Sequence, residues 1–93
     1  MNYVCALSIA GSDCSGGAGI QADLKTMSAL GVYAATAITA ITVQNTCGVT
    51  AVQAVAPAIV EGQIRAVMED IEPKAVKIGM VNDKATILAI SKA

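Results

Sequence analysis

Residues 4–9, VCALSI, form a short apolar run that stops at Ala10-Gly11, the pattern of a buried strand. A polar, glycine-rich stretch follows. Ile20, Leu24, Met27 and Leu30 then recur at helical spacing, with Gly31 placed to end the helix as a C-terminal cap. Residues 32–43, rich in alanine and β-branched side chains, predict a second buried strand that ends in the polar turn QNTCG. Residues 50–55 alternate weakly and predict a short third strand. Pro57 suits the first turn of a helix whose apolar stripe is Val60, Ile64, Val67, Met68 and Ile71, with Glu61, Arg65 and Glu69 on a solvated face. Pro73 closes that helix, AVKIG predicts another short strand, and Asn82 or Asp83 caps a last helix through Ile87, Leu88 and Ile90. Strands alternating with helices at these lengths predict an α/β layered fold with a mostly parallel sheet and right-handed crossovers.

Composition changes that picture in one respect. A chain of 93 residues makes at most one domain and hides only about 60 to 65 percent of the surface it exposes when unfolded. Yet 55% of its residues are hydrophobic, 14% are charged, and no charge occurs between Lys25 and Glu61. Residues 32–43 fall short of the roughly 20 needed to cross a membrane, so we expect strands buried on both faces and covered by helices that a longer chain or a partner supplies. The net charge of −1 and the lack of a basic cluster argue against nucleic acid or an anionic membrane surface as partner, which leaves a small molecule. The first basic residue is Lys25, so the N-terminus lacks the positive region of a secretory signal and a cytoplasmic location is expected. Cys5, Cys14 and Cys47 show no CxxC spacing and have no histidine beside them, which predicts buried or half-buried free thiols and neither zinc nor a disulfide framework.

The stretch AGSDCSGGAGIQADLKT, residues 10–26, poses the chemical question, since glycine loops at helix starts often hold phosphates. A Walker A loop requires lysine and then serine or threonine after its last glycine, and Gly19 is followed by Ile20-Gln21. Residues 17–22, GAGIQA, satisfy G-x-G-x-x-A, but the acidic residue expected about 20 positions later is missing. Asp23 is more informative, because at about 100° per residue it falls within the apolar arc of its helix. Two readings stand: a helix-start carboxylate bonded to the loop's own amides in the first turn, or an acceptor facing a cavity that takes a ligand hydroxyl or amine. Lys25 points away from the stripe and is expected to be solvated.

In open α/β sheets the ligand crevice lies outside the carboxyl ends of the strands, where Gly11, Gln44 and Gly79-Met80 converge in this pattern. The Gln44 amide can pair bidentately with a ring nitrogen beside an exocyclic amine, the edge an aminopyrimidine offers, or it can serve as a turn residue bonding local backbone. Met80 can lay its thioether against a ring or simply fill the core, and Gly11 admits a ligand close to the backbone.

Three segments together, ALSIAGSDCSGGAGIQADLKT, GVYAATAITAITVQNTCGV and KIGM, resemble the hydroxymethylpyrimidine/phosphomethylpyrimidine kinases of thiamin biosynthesis, within the ribokinase-like superfamily. The resemblance implies a three-layer fold around a mostly parallel sheet, with residues 1–93 as the N-terminal, pyrimidine-binding part of a single kinase domain. It implies phosphoryl transfer from ATP with Mg2+ to 4-amino-5-hydroxymethyl-2-methylpyrimidine and then to its monophosphate. Gly11, Asp23, Gln44 and Met80 are the implied pyrimidine contacts, with Ala18 in the loop wall. The family's anion hole, catalytic residue and ATP site belong to sequence beyond this stretch, so no catalytic residue is named and the segment is expected to be inactive alone. A homodimer of the full-length protein is compatible with the same resemblance. The alternatives are a pyridoxine/pyridoxal kinase of the same superfamily, which shares the first motif but not usually the QNT turn, and a non-catalytic small-molecule-binding fragment.

Overall fold

The computed structural model describes residues 4–79 and Ile90. Its elements run β1 (Cys5–Ala10), α1 (Gly19–Ala29), β2 (Tyr33–Ile38), β3 (Ala40–Asn45), β4 (Gly48–Ala54), α2 (Pro57–Asp70) and β5 (Ala75–Ile78). Strands β2, β1 and β5 make a parallel sheet in that order, while β3 and β4 form a separate antiparallel hairpin.

β1 occupies the centre, and both its faces are covered because the side chains alternate across the sheet. Cys5, Leu7 and Ile9 face one way and pack with Ala35 and Ala37 of β2 and with Val60 and Ile64 of α2. Ser8, fully buried, faces the other way and bonds Asp23 of α1. The two helices therefore sit on opposite faces of the sheet, the α/β layering that the sequence pattern predicts.

Both helices start and stop close to where local signals place them. Pro57 occupies the first turn of α2, whose Val60 and Ile64 are buried while Val67 and Ile71 flank the core. Arg65 pairs with Glu61 at 3.3 Å on the exposed side. α1 ends in a Schellman motif, with Val32 N–H donating to the Met27 carbonyl and Gly31 N–H to that of Ser28, and Gly31 takes the left-handed φ of +76° that the motif requires. Leu30 and Met68, assigned to the apolar stripes, are exposed instead.

Residues 32–43 do not form one strand. The chain breaks at Thr39, so that β2 stays in the parallel sheet and β3 leaves it for the hairpin. Beside the break, the side-chain amide of Gln63 of α2 accepts from Ile38 N–H and donates to the Ile38 carbonyl, each at 2.9 Å, covering the free edge of β2 at that residue. An apolar run of this composition suits one long strand or two short ones equally, and only long-range partners, β4 and α2 among them, distinguish the two. Burial on both faces holds for β1 but not for β4 or β5, whose residues are exposed throughout. Cys5 is buried as expected, whereas Cys14 and Cys47 are exposed free thiols. The helix expected after Asn82 lies outside the described residues, apart from Ile90, which packs against the core. No helix among the described residues is long and apolar enough to cross a membrane.

Candidate functional site

The glycine loop leaves β1 at Ala10 and returns its chain into α1 at Gly19, and its own amides are consumed in holding that shape. Asp13, a buried residue, is its hub. Oδ1 accepts from the Ser15 N–H at 2.9 Å and the Ser15 hydroxyl at 2.6 Å, and Oδ2 accepts from Gly17 N–H at 3.1 Å. Gly16 N–H donates to the Asp13 carbonyl, Ile20 N–H to the Gly11 carbonyl, and Asp13 N–H to Gln21 Oε1. The Ser15 hydroxyl, with backbone amides behind it, outweighs burial and holds the Asp13 carboxyl below its usual value. Gly19 sits at φ +60°, where any side chain would collide with the Gly11 carbonyl. A loop whose amides at 13, 15, 16, 17 and 20 all bond inward has few left for a phosphate. The loop therefore offers little to a phosphate; among the described residues no group of three or more Cys, Asp and Glu could hold a metal ion.

The loop's amides are thus bonded by Asp13 and not by Asp23, and α1 has no side-chain cap. α1 begins at Gly19 with Ala18 as its N-terminal flank, so Asp23 lies in the second turn rather than the first. Its Oδ2 accepts from the Ser8 hydroxyl at 2.6 Å and from Lys77 Nζ at 2.9 Å. Partial burial pushes the Asp23 carboxyl up, but these two donors outweigh it and leave it below the ordinary carboxylate value. Lys25 is exposed but is not merely solvated, since its Nζ donates to the Gly16 carbonyl at 3.0 Å and clips the helix to the loop.

Residues 10–14 run parallel to residues 39–44 and are bonded to them step by step. Thr39 N–H donates to the Ala10 carbonyl at 3.0 Å and Ser12 N–H to that of Ala40 at 2.8 Å. The Thr42 hydroxyl donates to the Ser12 carbonyl at 2.6 Å, and the Cys14 thiol to that of Gln44 at 3.1 Å. Gln44 N–H donates back to the Cys14 sulfur at 3.3 Å. The loop is thereby fastened to the hairpin. Gln44 lies within β3, where the register shifts between Val43 and Gln44 and leaves Thr50 of β4 unpaired, and not at the end of a strand of the parallel sheet as expected. Bulges are frequent beside functional sites, and this one lies on β4, opposite the step from Val43 to Gln44.

Gly79 closes the remaining side. Its N–H donates to the Ile9 carbonyl at 2.7 Å, and a Cβ there would lie 2.9 Å from that of Ala10. The structure therefore brings Gly11, the loop with Ala18, the hairpin with Gln44, and Gly79 to the carboxyl end of β1. Asp23 approaches from α1. No hydrogen bond among the described residues links it to Gln44. Met80 lies outside the described residues. Sequence reasoning passed over Asp13, Ser8, Thr42 and Lys77. The Asp-x-Ser spacing of a local Asx turn and the lone charge within AVKI were the available signals for two of them.

Comparison with known proteins supplies what the geometry leaves open. Residues 13–93 match the family model described as phosphomethylpyrimidine kinase. A hydroxymethylpyrimidine/phosphomethylpyrimidine kinase from Rhizobium meliloti is 67% identical over 86 residues, covering 92% of this chain and 32% of the relative. A crystal structure of phosphomethylpyrimidine kinase from Clostridium difficile 630 superposes with a TM-score of 0.93 at 59% identity, over 97% of this chain and 39% of that one. The pyridoxal kinase of Staphylococcus aureus, solved in complex with AMP-PCP, matches at a TM-score of 0.85 and 34% identity, over 99% of this chain and 34% of its own. The chain thus spans about a third or less of the length of the curated relatives it matches. With its fold shared across these kinases and most of its length within one family model, the chain belongs to the phosphomethylpyrimidine kinase family.

Proposed function

We propose that these residues are the N-terminal part of a kinase that phosphorylates 4-amino-5-hydroxymethyl-2-methylpyrimidine and its monophosphate, and that they supply its pyrimidine pocket. The observation that carries this reading is the placement of the Gln44 amide on a hairpin fastened to the glycine loop at the carboxyl end of the central strand. An amide held there offers a donor and an acceptor side by side, which complements the amino group and adjacent ring nitrogen of an aminopyrimidine. Both donors to Asp23 reach Oδ2, so its Oδ1 serves the substrate hydroxyl or amine. Gly11 and Ala18 shape the wall, and Met80, the next residue in the sequence after Gly79, is the remaining proposed contact with the ring.

The phosphoryl donor is ATP with Mg2+, bound by sequence beyond this stretch. The metal supplies charge neutralisation on the transferred group. The working protein is cytoplasmic and is compatible with a homodimer. A second reading, a pyridoxal kinase, rests on the likeness to the S. aureus enzyme, at lower identity than the pyrimidine kinase from C. difficile.

Coupled ATP turnover by the full-length protein, on the pyrimidine and on pyridoxal, separates the two. Turnover on the pyrimidine with Gln44→Ala costing about 1 to 3 kcal/mol of substrate recognition is expected. Turnover on pyridoxal alone would move the assignment to the second reading.

A further inference from the structure

Thr42 Oγ1 lies 2.6 Å from the Ser12 carbonyl oxygen and 3.1 Å from Oε1 of Gln44. Both neighbours are acceptors, yet a hydroxyl has one proton. The Ser12 carbonyl is much the closer, cannot donate, and cannot turn away, because Ser12 is also held by its own N–H to the Ala40 carbonyl. The proton therefore goes to Ser12, and Thr42 offers Gln44 only lone pairs. A half-turn about the last torsion of Gln44, which exchanges two atoms of equal size, puts Nε2 opposite Thr42 and removes the conflict.

We propose that Thr42 is a specificity-determining positioning residue, which, anchored on Ser12, fixes the sense of the Gln44 amide and so the order of donor and acceptor shown to the substrate. This inference rests on the reading of Gln44 as a pyrimidine contact. One N–H of Gln44 donates to Thr42, while the carbonyl oxygen and the other N–H form the edge that faces the ring. That edge accepts from an exocyclic amine and donates to the neighbouring ring nitrogen. The 4-oxo analogue carries the reverse order, an oxygen acceptor beside a ring N–H. To bind it, the amide must turn back and set its oxygen against the lone pairs of Thr42. Ser12 and Thr42 thus convert a symmetric-looking amide into a one-way reader, with a glycine-loop carbonyl as the reference.

The test is steady-state kcat/KM of the full-length protein for the 4-amino substrate and the 4-oxo analogue. Thr42→Val, which keeps the shape and loses the hydroxyl, is expected to reduce the ratio of the two by about tenfold, the worth of one hydrogen bond. Thr42→Ser restores the ratio, which a purely structural role for the threonine methyl would not do. Thr42→Ala replaces the valine variant if that fails to fold. An unchanged ratio in Thr42→Val, alongside a weakened Gln44→Ala, overturns the role of Thr42 and leaves the pocket standing. An unaffected Gln44→Ala overturns both.

Discussion

Ser8 and Lys77 are register partners on the parallel strands β1 and β5, and both donate to the same atom, Oδ2 of Asp23, at 2.6 and 2.9 Å. One helix carboxylate thereby ties together two strands of the sheet. The two donors differ in setting, since Ser8 is fully buried whereas the Lys77 side chain is 51% exposed. A buried hydroxyl bonded to a charge contributes about 1.5 to 3 kcal/mol, while a solvated ion pair contributes no more than about 1. In urea denaturation of the full-length protein we expect Ser8→Ala to cost more than Lys77→Met. The reverse ranking would mean that the ammonium, and not the hydroxyl, holds Asp23.

Asp13 gives the glycine loop a pH dependence of definite sign. Its carboxyl is held below its ordinary value, chiefly by the Ser15 hydroxyl, against the opposing effect of burial. A lowered folded-state pKa adds stability that is complete above the unfolded value and is lost as pH falls through the folded one. The stability gap between the protein and its Asp13→Asn variant should stay constant from about pH 7 to 5 and narrow only below about pH 4. Asp23, lowered in the same direction, adds to acid sensitivity in the same range. A gap that widens on acidification would contradict the loop geometry.

Two glycines should respond oppositely to alanine. At Gly19 the backbone is left-handed and a Cβ meets the Gly11 carbonyl, so Gly19→Ala should cost well over about 1 kcal/mol and shift the loop. Gly62 lies within α2 with nothing near its missing Cβ, so Gly62→Ala should stabilise by about 0.5 to 1 kcal/mol. Thermal unfolding of both variants checks the pair.

Gln63→Met keeps the length of the side chain and removes its hydrogen bonds. Ile38 then loses partners for both its N–H and its carbonyl at the point where β2 gives way to β3. We expect a loss of about 2 kcal/mol, read from denaturation midpoints, with increased amide exchange at Ile38. An unprotected Ile38 amide in the unsubstituted protein would rule out this cap.

Elements governed by neighbours a few residues apart are legible in the chain itself. Pro57, Gly31 and the apolar spacing of Val60 and Ile64 act within one or two helical turns, and the structure puts α1 and α2 where they indicate. The three motifs likewise carry the family resemblance without coordinates. Long-range partners carry the rest. Asp23 looks the same on a helical wheel whether it caps the loop or meets Lys77, which is 54 positions away. Gln44 looks like a strand-end residue until Cys14 and Ser12, brought in from 30 positions earlier along the chain, fasten its hairpin to the loop. The glycine loop itself changes meaning for the same reason: its composition suggests a phosphate cradle, but folding turns its amides onto Asp13, Gln21 and Gly11, and what remains is a rigid wall beside Gln44. Periodicity encodes which face of an element is buried; which group it is buried against depends on chain segments that only folding brings together.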